Sequence, residues 1–174
     1  MRTFIRRILA AVAAIGAIAV SLQAHAQSQM SKDKLVGTWQ LLSFKATTGD
    51  KVGYPLGERP GGYIGFTPNR FWVMVVDTTR KAPAGPSPTE AEALALMKSN
   101  AAYTSKYTVD PAQTPDGIKK TATVDAAANQ ALTGTSRVYF VRVDGNKLML
   151  KSPSVFVPAT GQTSVVELEF VKTD

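Results

Sequence analysis

The chain of 174 residues has no cysteine and a single histidine, His25. Without cysteine there is no disulfide, no thiolate nucleophile and no lipid-modified cysteine to tether the protein. His25 sits in a segment that reads as removable. Arg2, Arg6 and Arg7 form a basic start, Ile8 to Val20 is an unbroken run of apolar residues and glycine, and Ala24-His25-Ala26 fits a small-x-small cleavage site. The run is short for a bilayer-spanning helix, so residues 1–26 are expected to be a secretory signal peptide cut after Ala26, and the destination periplasmic or secreted. The Arg6-Arg7 pair hints at twin-arginine export, but its flanks suit the general route better. The mature chain, residues 27–174, then holds neither histidine nor cysteine. That excludes Ser-His-Asp and Cys-His catalysis, and zinc sites built on imidazole or thiolate. No aspartate cluster suggests a hard-cation loop, so neither metal nor cofactor is expected.

Charge of one sign is also scarcer than it first looks. The whole chain carries +7, but three arginines leave with the signal peptide, and residues 27–174 keep 17 basic against 13 acidic side chains, or +4. With no cluster of lysine or arginine, this argues against a nucleic-acid partner. No long apolar run remains for stable membrane insertion. A single domain of this size buries roughly 68–70% of its unfolded surface and needs no covalent staple.

What is present is mostly period-two alternation punctuated by turns. A first strand runs from Gly37 to about Thr47, and "TTGD" turns the chain into the short segment "KVGYP". "GGYIGFT" and "RFWVMVVD" are two strands joined at Pro68-Asn69, the second apolar on both faces. The proline-rich "TTRKAPAGPSP" breaks the rhythm. Ser87 as N-cap, Pro88 at the first position and Glu90 as capping-box residue predict one amphipathic helix over 88–100, with Leu94, Met97 and Ala101 at helical spacing. The strands "AYTSKYTVD", "GIKKTATVD", "SRVYFVRVD", "KLMLKS" and "SVVELEFVK" follow, with a tight hairpin at Asp144-Gly145. In the last of these, Val166, Leu168 and Phe170 share one face. The reading is a mostly β fold: one antiparallel up-and-down β-barrel of about eight strands with one inserted α-helix, wide enough for side-chain filling or one small ligand.

Gly37-Thr38-Trp39, at the head of "LVGTWQL", resembles the Gly-x-Trp signature of lipocalins and the wider calycin barrels. "YPLGERPGGYIGFTPNRFWVMVVD", "KAPAGPSPTEAEA", "AYTSKYTVD" and "ALTG" extend the likeness to the bacterial lipocalin-like domain family. The resemblance implies a calycin-type barrel and no particular reaction. It implies that Trp39 packs across the closed end, that Gly37 lets the backbone come close beside it, and that a basic residue covers the ring. Lys172 is the candidate for that residue and Arg137 the alternative; family members usually have arginine there.

A barrel of this kind binds in its mouth or lumen. The candidates are the aromatic and basic strand residues Tyr63, Arg70, Trp72, Met74, Tyr103, Tyr107, Arg137, Tyr139 and Phe140, with binding expected at the open end near Trp72, Tyr103 and Tyr107. Arg70 or Arg137, facing inward, could clamp a carboxylate. The leading expectation is a binding protein for a small apolar or amphipathic molecule. One alternative is a small isomerase or hydratase using Tyr, Asp and Arg groups, with Asp77 or Asp125 ionising near neutrality if buried. The other is an envelope protein whose barrel is filled solid. "RKAPAGPSP" and its helix suggest a lid over the mouth or a helix packed outside.

Overall fold

In the computed structural model, residues 32–157 and 162–174 are described; the expected signal peptide and its cleavage site lie outside them. A helical turn over 32–35 leads into ten strands: β1 (Gly37–Thr48), β2 (Lys51–Gly53), β3 (Pro60–Phe66), β4 (Arg70–Asp77), β5 (Asn100–Thr114), β6 (Gly117–Ala127), β7 (Ser136–Asp144), β8 (Lys147–Lys151), β9 (Val155–Val157) and β10 (Gln162–Lys172). One helix, α1 (Glu90–Lys98), is inserted between β4 and β5. Eight strands close a ring in the order β1-β3-β4-β5-β6-β7-β8-β10, sealed by the β1–β10 pair, while β2 and β9 extend its rim. Every pairing is antiparallel. Closure leaves no whole strand of the ring with a free edge, although the first residues of β7 extend past the end of β8.

Strand parity decides which side chains enter. Trp39 and Leu41 point inward from β1; a bulge between Leu41 and Ser43 then resets the phase and leaves Leu42 exposed. Leu168 and Phe170 on β10 and Leu148 and Leu150 on β8 face them, all buried. Val166 packs against the same core. The hairpin from β7 to β8 is tight: Asp144 pairs with Lys147, and Gly145 takes φ +56° in the turn between them.

The helical turn, Trp39 and the β3–β4 turn form the closed end. Trp39 is fully buried, and its indole Nε1 donates to the Leu35 carbonyl at 2.8 Å. Lys172 lies over the ring, with Nζ 5.3 Å from its centroid. Gly37 is required beside them. At φ +128°, a Cβ there would come within 2.9 Å of the Lys172 stem. Gly65 is needed for a different reason: the Trp72 ring occupies the space where a Cβ would stand.

The helix departs from expectation. Its N-cap is Thr89, with Glu92 completing the capping box, two residues after the Ser87–Glu90 pair the sequence suggested. Glu92 also accepts from the Ala84 N–H, tying the loop to the helix and so favouring the later box. Ala101 already belongs to β5, and Leu94 and Met97 remain exposed; no residue of α1 is buried. The helix stands at the open end and packs on its own loop. The two clefts between them are lined by residues of that loop, of the helix and of the adjoining strand ends. Among the described residues, no helix is long and apolar enough to cross a membrane.

Candidate functional site

The nine sequence candidates separate by strand parity. Tyr103, Tyr107, Arg137 and Tyr139 alternate with outward residues and face the lumen. Tyr63, Arg70, Trp72, Met74 and Phe140 face outward, because each is adjacent in sequence to a core residue: Ile64, Phe71 or, for Phe140, Tyr139 and Val141. Met74 follows Val73 and precedes Val75, both of which face the core. Tyr63 and Met74 are cross-strand partners on the outer face, 43% and 50% exposed. Arg70 pairs with Asp125, which also accepts from Thr104, outside the barrel. A ligand in the lumen reaches none of these five.

The two aspartates considered for acid–base work are also surface groups. The Thr79 hydroxyl and N–H hold Asp77 below the usual carboxylate range. The Thr104 hydroxyl and then Arg70 do the same for Asp125. Hydrogen bonding to the charged form favours it. Neither carboxyl can hold a proton near neutrality, so the acid–base reading loses both its carboxylates.

The inward four lie at different depths. Tyr107 belongs to the closed end, not the mouth. Its hydroxyl donates to the Thr67 carbonyl in the β3–β4 turn at 2.9 Å, and Lys32 Nζ stands 5.2 Å from its ring centroid. Burial, and then Asp33, push its phenol up to about 12. Tyr103 is higher, half-buried, with its ring edge-on to Phe71 at 6.0 Å. Burial raises its pKa as well, with Tyr139 adding to the rise and Arg137 opposing it.

Arg137 and Tyr139 sit where the wall of the barrel is interrupted. β8 ends at Lys151, paired with Phe140, and β9 begins only at Val155. Ser152-Pro153-Ser154 fills the gap, and Pro153 has no N–H to donate. The first residues of β7 therefore have no ladder partner on that side. A cleft of about 320 Å³ opens there, lined by Leu132, Arg137, Tyr139, Ser152, Pro153 and Val155 among others. Arg137 Nη donates to the Tyr139 hydroxyl at 3.2 Å. The ion pairs among the described residues are Arg70–Asp125 and Lys151–Asp116, so no carboxylate of the described chain neutralises Arg137.

The residue sequence reasoning passed over is Lys120. It faces inward from β6, between Val109 on β5 and Tyr139 on β7, and is 0% exposed. Its Nζ lies 3.4 Å from the Phe71 ring centroid and 5.4 Å from those of Phe66 and Tyr139. It has no hydrogen-bond partner among the described residues. Phe66 and Phe71 are themselves in contact at 4.6 Å, so the amine rests on a floor of aromatic rings. Burial, reinforced by the like charge of Arg137, pushes its pKa down to about 7. The signal was available. Ile118, Ala122 and Val124 set the inward parity of "GIKKTATVD", and Lys120 falls on it while Lys119 does not.

From mouth to floor the lumen thus presents a guanidinium and a phenol at a lateral cleft, then an amine among rings. Below them the barrel is packed solid by Trp39, Ile64, Leu148 and Phe170. The family described as a lipocalin-like domain matches residues 36–171. Neither a curated protein nor a solved structure matches the chain.

Proposed function

Because the chain belongs to the lipocalin-like domain family, whose barrel suggests small-molecule binding, we propose that it holds one small amphipathic molecule bearing a carboxylate, and that it does so in the periplasm or outside the cell. One observation carries the ligand class. Arg137 faces inward at the cleft, half-buried, bonded to the Tyr139 hydroxyl and paired with no carboxylate of the described chain. A guanidinium in such a place gains most from a planar anion that its parallel N–H groups can grip. The apolar body of the ligand lies against Tyr139, Leu132 and Val155 along the cleft. Export rests on the basic, apolar and small-x-small order of residues 1–26.

The test is a displacement titration. A fluorescent long-chain carboxylate is bound first and competed with fatty and aromatic acids, their methyl esters and their alcohols. Acids should displace it about 10- to 100-fold better than esters, the difference a charge-assisted hydrogen bond supplies. Arg137→Met should erase that preference while the esters bind as before. Equal displacement by acids and esters in the unmodified protein would refute the carboxylate, and no saturable binding of any probe would refute the reading as a whole.

A further inference from the structure

Lys120 violates a rule the rest of the barrel obeys. A buried ammonium is ordinarily matched by a carboxylate or by several acceptors, because an unpaired charge costs several kcal/mol to desolvate. Here the charge that acts on the amine is that of another cation, Arg137. The described ion pairs are both elsewhere, and Nζ has no hydrogen-bond acceptor among the described residues. The cage of Phe66, Phe71 and Tyr139 offers faces, not lone pairs. These are the two circumstances, an apolar pocket and a neighbouring cation, that turn a lysine into a nucleophilic amine.

The amine is also close to a way in. Tyr139 is the cross-strand partner of Lys120, and its ring forms one wall of the Nζ cage. The same residue lines the lateral cleft beside Arg137. One residue therefore separates the cleft from the amine, and a lysine has a four-carbon stem with which to swing toward it.

We propose that Lys120 is a covalent capture site, whose side-chain amine condenses with the carbonyl of an aromatic or unsaturated aldehyde admitted through the cleft. The inference rests on the reading that this lumen admits small molecules. The nitrogen lone pair attacks the carbonyl carbon; the C–N bond forms as the C=O π bond breaks, and one N–H proton passes to the oxygen, giving a carbinolamine. The C–O bond then breaks, and the oxygen leaves as water with the second N–H proton, leaving the C=N imine. Nothing is oxidised or reduced. A dry cage favours this outcome, since water is the product and the agent of the reverse reaction. Flat, conjugated aldehydes suit an amine flanked by three aromatic rings.

The amine state supports the same assignment. With its pKa pushed down to about 7, Lys120 is mostly neutral at pH 7.5. An ordinary solvated lysine, near 10.4, is neutral in about one molecule per thousand. Lys119 provides an internal comparison: it is the next residue on the same strand, faces outward and is exposed.

The experiment is reductive trapping on the full mature chain. The protein is incubated with benzaldehyde or cinnamaldehyde and cyanoborohydride at pH 7.5, and the adducts are located by peptide mass mapping over time. Lys120 should be alkylated at least tenfold faster than Lys119, and an excess of the long-chain carboxylate should slow it. A Lys120→Arg variant, shown to be folded by circular dichroism, should lose the fast phase alone. Labelling of Lys119 without Lys120, in protein that still binds the fluorescent carboxylate, would overturn the capture site and leave the binding reading intact. Labelling of Lys120 in protein that ignores the carboxylate would uphold capture and remove the carboxylate preference. Neither labelling nor probe binding would overturn both.

Discussion

Replacing Lys120 by methionine should make the protein more stable, and by an amount that depends on pH. The substitution keeps a four-atom unbranched stem and removes the terminal nitrogen with its charge and hydrogen-bonding capacity. In the folded chain the amine pKa falls from 10.5 to about 7. Between those values the unfolded chain holds a proton that the folded chain does not, so stability rises with pH across that window. The penalty is fully present below about pH 7 and is gone above the unfolded value. At 1.36 kcal/mol per unit, it is about 4 kcal/mol at pH 7 and about 2 kcal/mol at pH 9. The Phe71 face beneath Nζ works the other way, worth about 2 kcal/mol for a desolvated cation. Lys120→Met should therefore gain about 2–4 kcal/mol at pH 7, and the advantage should shrink by about 2 kcal/mol by pH 9.

Urea unfolding of both proteins at pH 7, 8 and 9, followed by far-ultraviolet circular dichroism, measures this directly. The comparison stops at pH 9 because Tyr107, pushed up to about 12, begins to cost both proteins stability above pH 10. A variant less stable than the wild type at every pH would mean that Lys120 is satisfied by contacts that outweigh its burial. A stability gap independent of pH would mean that its amine does not titrate in this range. Either result removes the physical basis for treating it as a nucleophile.

Trp39→Ala should cost about 3–5 kcal/mol in denaturant unfolding, as for other large buried aromatics; a loss below about 1 kcal/mol would show that the closed end does not depend on it. Gly62→Ala should cost at least about 2 kcal/mol, because Gly62 stands at φ +112° and an added Cβ would collide with the Met74 carbonyl oxygen. Gly49→Ala, at φ +57° with open space around it, should cost only about 1 kcal/mol; equal costs at the two sites would deny the steric argument. N-terminal sequencing of exported protein should begin at Gln27, and recovery of the intact apolar run in a membrane fraction would contradict the signal-peptide reading.

The barrel was legible because its evidence is local. Period-two runs broken by turn residues give strands one at a time, and "GTW" with the flanking segments adds the architecture. Capping was ambiguous, because Ser87-x-x-Glu90 and Thr89-x-x-Glu92 are both plausible boxes and only the contact from Glu92 to Ala84 chooses between them. The site was harder. Aromatic and basic residue types mark candidates without fixing parity, and one residue of shift moves a side chain from the lumen to the outside. Arg70 and Arg137 look alike in sequence, each near the head of a strand. One stands next to Phe71 and points out; the other is two residues before Tyr139 and points in. The bulges at Leu42 on β1 and at Asp125 on β6 add phase shifts that composition cannot reveal. The interruption at Ser152-Pro153-Ser154, which opens the cleft, becomes visible only once β8 and β9 are seen to lie on the same strand, β10.

Lys120 ties stability to function through the same side chain. A barrel selected for stability alone would carry an apolar residue at that position, since Ile118, Ala122 and Val124 already set an apolar inward face. Local choices in a folded protein normally agree with one another, and a position that breaks the agreement at a cost of several kcal/mol marks a place where something other than folding decides the residue. Arg137 is a milder case, half-buried and still able to reach the cleft. The two cations sit on neighbouring strands, and Ala122, the residue across from Arg137, is two positions from Lys120 on the same inward face. The repulsion present whenever Lys120 is protonated would be relieved by an anion between them, or by converting the amine to an unprotonated imine. Both events require a molecule to enter from the cleft, and each would return to the fold part of the stability that the unliganded barrel gives up.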